Sequence, residues 1–124
     1  MEFLGLHIHH LDEGELADEI VVILKSTLTS ESWVIERPTE ETNAIFIPVD
    51  VDNTDKESYL ICSQKSDRAV ILLQQLTRET ITAIRAMGLS VGMRIHSDEG
   101  LLPIPASFVA ACGRLNLGIY ICRT

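Results

Sequence analysis

The chain is expected to form an α+β domain: a mostly antiparallel sheet of about five to six strands with helices packed on one face. Three observations carry this expectation. Residues 3–9 and 89–96 alternate apolar and polar side chains, the period of a half-buried strand. Residues 66–87 place apolar side chains at helical spacing. The elements then follow one another in the order β-α-β-β-β-α-β-α-β.

In the first strand Leu4, Leu6 and Ile8 point one way, and Phe3, Gly5, His7 and His9 the other. Asp12-Glu13-Gly14-Glu15 opens a helix, where acids suit the positive end of the helix dipole. Asp12 is the expected N-cap, with Glu15 at capping-box spacing. Leu16, Ile20, Ile23 or Leu24, and Thr27 share a face. Ser32 to Glu36 reads as a short strand and Asn43 to Val49 as another, separated by Pro38 and the turn Glu40-Glu41-Thr42-Asn43. An acidic loop at 50–57 precedes a third short strand, Ser58 to Ser63. One long helix runs from Ser66 to Met87, capped by Ser66 or Asp67 and ended by Gly88. Leu89, Val91, Met93 and Ile95 alternate with Ser90, Gly92, Arg94 and His96. Pro105 opens a short helix that buries Phe108, Val109, Cys112 and Leu115, and Asn116 can take the left-handed conformation after it. Leu117 to Cys122 is apolar on both faces, which suggests a central strand.

Residues 1–124 fit a single domain, with no repeat, linker or low-complexity stretch. An apolar share of 46% excludes a disordered chain. The longest apolar runs, Ile20 to Leu24 and Ala69 to Leu73, fall far short of a membrane span. A net charge of −8 argues against nucleic acid, whose phosphates need a basic surface. Met1 to Gly5 lacks the basic and apolar regions of a secretory signal. Cys62, Cys112 and Cys122 form no disulfide framework and sit in apolar stretches. A cytoplasmic protein is expected.

Several residue groups could carry chemistry. His7, His9 and His10, with Asp12 or His96, could ligate zinc; the plainer reading is polar side chains on the solvent face of an edge strand, and no recognised ligand spacing supports the metal. The acids from Asp50 onward approach the spacing of a calcium loop, but Asp55 stands where that motif needs glycine and Ile61 where it needs a bidentate acid. Cys62 or Cys122 would need an oriented base to act as a nucleophile. No phosphate-binding loop, dinucleotide fingerprint or nucleophile elbow is present. No catalytic residue, metal or cofactor is assigned, and the chain is expected not to be an enzyme.

The charge layout is more informative. Residues 1–57 hold 14 acids and 3 bases, a net of −11, whereas residues 58–124 hold 4 acids and 7 bases, a net of +3. An acidic surface attracts basic proteins and speeds their association.

A small, acidic, motif-free α+β chain of this kind resembles the bacterial immunity proteins of contact-dependent inhibition, Rhs and type VI toxin systems. The stretch Ile84 to Tyr120 is also similar to a family of small bacterial domains, some encoded beside toxins. It carries a helix end with Gly88, the alternating strand to Ile95, a turn with Gly100, Ile104-Pro-Ala-Ser-Phe108 and the ending Leu115-Asn-Leu-Gly-Ile-Tyr120. The resemblance spans about a third of the chain and brings no catalytic residues. It implies an inhibitor that binds a cognate toxin, with a basic nuclease domain as one candidate partner. The residues expected at that interface are Asp12, Glu13, Glu15, Asp18, Glu19, Asp50, Asp52, Asp55 and Glu57, with Trp33 or Tyr59 as aromatic anchors if exposed. Two alternatives stand beside it. One is a small-ligand-binding or metal-dependent enzyme using the His7, His9 and His96 face. The other is a homodimer formed through the open sheet face or an edge strand.

Overall fold

The alternation of residues 3–9 forms strand β1 (Phe3–His9), and β1 organises the sheet. The computed structural model describes residues 3–29, 33–49, 58–97 and 104–123, without the side chains of Phe3, 58–66 and Arg123. β1 pairs antiparallel with β2 (Ile45–Pro48) on one side and β3 (Ser90–Ser97) on the other. β3 pairs in parallel with β4 (Gly118–Arg123), giving the order β2-β1-β3-β4. A parallel pair needs a crossover, and the chain from β3 to β4 passes through helix α4 (Ala106–Arg114).

The other helices are α1 (Glu15–Thr27), α2 (Ser58–Gln75) and α3 (Arg78–Ala86). Their buried faces join one core with the inward side chains of the sheet: Leu4, Leu6 and Ile8 of β1, Ile45 and Ile47 of β2, Val91, Met93 and Ile95 of β3. α1 contributes Ala17, Ile20, Val21 and Leu24 at helical spacing, and α2 contributes Ala69, Leu72 and Leu73. Ile81, Ile84, Phe108 and Cys112 complete the core from α3 and α4. Each fully buried large side chain contributes about 1.5–3 kcal/mol of hydrophobic stabilisation. No described helix is long and apolar enough to cross a membrane.

The mixed α+β class agrees with the sequence; among the described residues the strand count and element order do not. Ser58 to Ser63 begins α2 instead of forming a strand. A short apolar run is ambiguous between strand and helix, and here it leads into the helical stripe Ala69, Leu72, Leu73 and Leu76. The expected single helix over 66–87 is two, broken at Thr77. That residue is extended, and its hydroxyl accepts from the Thr80 N–H at 3.1 Å as the N-cap of α3. Within the expected strand 32–36, the described residues form only one bridge, Glu36 to Phe46. The segment leaves the sheet there, since Arg37 is drawn to acids of the α1 region while Trp33 bonds to α2. Strand β4 lies at an edge, not in the centre. Its apolar residues serve two surfaces: Ile119 packs on the core, whereas Tyr120 and Ile121 are exposed.

Among the caps, Gly14 and not Asp12 precedes α1, with no side-chain cap bond. Ser66 and Asp67 lie inside α2. Gly88 (φ 84°) and Asn116 (φ 55°) adopt the expected left-handed conformation after α3 and α4.

Candidate functional site

With the helices on the Leu4–Leu6–Ile8 side, the opposite face of the sheet carries the alternate residues. Register sets Gly5 beside Pro48 and Arg94, His7 beside Phe46 and Gly92, and His9 beside Ser90. Across β3 and β4, Arg94 neighbours Tyr120 and His96 neighbours Cys122. Two glycines make room for aromatic rings. A Cβ at Gly5 would collide with the Phe46 ring and Ile47 O, and a Cβ at Gly92 would collide with the Tyr120 ring.

This paving encloses His7, which is 5% exposed although it stands on the face away from the helices. His7 Nδ1 lies 2.6 Å from His9 Nε2, and His7 Nε2 lies 3.4 Å from Arg94 Nη1. One tautomer satisfies both contacts: a neutral His7 donates from Nδ1 to His9 and accepts from Arg94 at Nε2. Burial, then the nearby His9, Arg94 and His96, lower the His7 pKa to about 4. His9 is lowered by burial, then by Arg94 and His10. His96 is lowered by burial and then by Arg94. The cluster therefore holds one fixed cation, Arg94, among imidazoles that resist protonation.

The structure brings His7, His9 and His96 onto one face, but the first two point ring nitrogens at each other beside a guanidinium. Among the described residues, no three His, Cys, Asp or Glu side chains gather at metal-binding spacing. Cys122 shares this face, whereas Cys112 is buried in the core, where desolvation pushes its thiol up to about 11.

The second region lies around the start of α1. The Leu11 N–H donates to Asn43 O (2.9 Å), which sets the β1–α1 loop against the turn at 39–42. Asn43, oriented so that its amide nitrogen donates, reaches Asp12 Oδ1 at 3.0 Å. A surface depression of about 450 Å³ at this junction is lined by His9, His10, Asp12, Thr42 and Asn43. Arg37 grips Glu13 through Nε (3.1 Å) and Nη2 (2.5 Å), and the same Nη2 donates to Asp18. The Arg37 hydrogen bonds hold the Glu13 carboxyl below its usual range. Two of the expected interface acids are thus partly neutralised, while Asp12, Glu15 and Glu19 are exposed without an ion pair to a described residue. Glu40 and Glu41 are exposed on the adjoining turn. A shallow groove of about 410 Å³ on α1 is lined by Asp18, Glu19, Val22 and Ile23, with Val22 67% exposed.

The remaining expected interface residues lie elsewhere. Trp33 is half-buried against the core, with Nε1 donating to Gln75 Oε1 (3.2 Å) and Arg68 over its ring. Tyr59 is in the first turn of α2. Asp50, Asp52, Asp55 and Glu57 fall outside the described residues.

Arg94 and Tyr120 are the members of the open face that sequence reasoning passed over. The alternation Ser90, Gly92, Arg94, His96 already set Arg94 on the polar side of its strand. Only the pairing of β3 with β1 and β4 reveals what surrounds it. The other bases of the C-terminal half mostly serve the scaffold. Arg68, Arg78, Arg85 and Arg114 donate to the carbonyls of Val49, Arg114, Asn116 and Leu73, at 2.5–3.2 Å. Comparison of the chain with protein-family models, with curated proteins and with solved structures finds no match.

Proposed function

We propose that the chain is an immunity-type inhibitor that binds a basic toxin domain through the acidic surface of α1 and the adjoining turn. The observation that supports this reading is the junction of Leu11 with Asn43. It joins two acidic segments far apart in sequence, residues 12–19 and 36–41, and Arg37 is the one base of these segments. The exposed Val22 beside Asp18 and Glu19 adds an apolar contact within a charged rim, the usual anatomy of a protein interface. A toxin that acts on nucleic acid must present a basic surface, and a concentrated acidic patch competes for it. Inhibition in this reading is occupancy of that surface, with no chemical step on the inhibitor.

The test is binding to basic nuclease toxin domains, comparing wild type with a variant in which Asp12, Glu15, Glu19, Glu40 and Glu41 become Lys. The expected result is a loss of binding in the variant and an association rate that falls with added salt in the wild type. Equal affinity for both proteins refutes the acidic-surface mechanism.

A further inference from the structure

We infer that the open face of the sheet binds a small carboxylate at Arg94, a site independent of the acidic surface proposed above. Six arginines have described side chains, and five reach an oxygen: Arg37 bonds carboxylates, and Arg68, Arg78, Arg85 and Arg114 bond backbone carbonyls. Arg94 differs. Among the described residues its one hydrogen bond, from Nη1 to His7 Nε2, is long at 3.4 Å, and its buried Nε meets no acceptor. A buried charged donor left without an acceptor is costly, so the fold holds the Arg94 guanidinium without the oxygen partner that the other five have. No described carboxylate forms an ion pair with it.

The surroundings favour one class of ligand. The residues registered beside Arg94 on this face are Gly5 and Tyr120, neither of which carries a carboxylate. The nearby imidazoles of His7 and His9 are kept neutral, so Arg94 supplies a single positive charge and a planar fork. A guanidinium fork pairs with the two oxygens of a carboxylate in a bidentate geometry that a point charge does not offer. A single small acid also approaches more easily than an acidic protein surface, which the net charge of −8 repels over many contacts.

The experiment is an NMR titration of the full chain with sodium acetate, against sodium chloride at equal ionic strength, with inorganic phosphate as a further arm. Saturable shifts of the Arg94 Nε–H and of the His7 and His9 rings with acetate, and none with chloride, are expected. Arg94→Gln should weaken acetate binding about tenfold or more, the loss of a charge-assisted hydrogen bond, with its amide spectrum otherwise folded. Arg94→Lys keeps the charge but not the fork and should fall between the two. Equal shifts with chloride, tighter binding of phosphate than of acetate, or unchanged affinity in a folded Arg94→Gln variant each overturn the inference. Should Arg94→Gln fail to fold, the acetate and chloride arms on the wild type decide.

Discussion

Acid should destabilise this fold through His7 well before its carboxylates protonate. The imidazole titrates near 6.5 when unfolded and near 4 in the native sheet, where burial and then His9, Arg94 and His96 oppose a charge. The folded state thus binds fewer protons than the unfolded state between these values, and stability falls as the pH drops from 6.5 towards 4. Above 6.5 both states are neutral at His7 and its contribution is flat; below 4 both are protonated and it is flat again. The interval from 6.5 to about 4, at about 1.4 kcal/mol per pH unit, sets a ceiling of about 3.5 kcal/mol. Solvent screening at the edges of the open face brings this to about 2 kcal/mol. Urea unfolding at closely spaced pH values from about 7.5 to about 3.5, which brackets both titration values of His7, measures the slope directly. His7→Gln removes the titrating group while keeping a donor and an acceptor at that position. Its stability curve should be about 2 kcal/mol flatter over the same window, leaving the shallower slopes of His9 and His96, which run in the same direction. Parallel curves for wild type and His7→Gln would refute the reasoning, because His7 would then be as easily protonated in the fold as outside it.

Four further outcomes test the packing. Gly5→Ala should destabilise by about 1–3 kcal/mol, because the new methyl meets the Ile47 carbonyl as well as the Phe46 ring and backbone cannot yield. Gly92→Ala should cost less, about 1 kcal/mol, since its closest obstacle is the ring of Tyr120, a side chain 45% exposed, and the backbone oxygen of Gly118 stands farther off at 3.1 Å; chemical denaturation of the two variants ranks them. Thr77→Ala should cost about 1 kcal/mol and raise amide exchange in the first turn of α3, which loses the hydroxyl that accepts from the Thr80 N–H. Leu6→Ala, at a fully buried position in the central strand β1, should cost about 2–5 kcal/mol in the same denaturation assay.

Legibility in the sequence followed the strength of local signals. The alternation in β1 and β3 correctly separated the core side chains from Gly5, His7, His9, Arg94 and His96. Gly88 and Asn116 announced the ends of α3 and α4, because left-handed backbone is readily adopted by few residue types. The run Tyr59 to Cys62 reads as a strand yet lies in α2, because four apolar residues fit a strand and a helical turn equally well. The Leu76-Thr77 break was missed because Thr77 also fits the continuing helical stripe, and its role as a cap depends on one hydroxyl turning back to Thr80.

By itself, therefore, the amino-acid sequence determined the mixed α+β class, most of the core and the −11/+3 division of charge, since burial patterns and charge are properties of local stretches. Tertiary structure decided which distant residues meet. It set His7 between His9 and Arg94, drew Arg37 onto Glu13 and Asp18, and joined the acids of the β1–α1 loop to those of the turn at 39–42. Those contacts depend on strand register and on how loops close against one another. The two-residue period of a strand specifies which face a side chain occupies but leaves its cross-strand neighbour to the packing of the whole sheet.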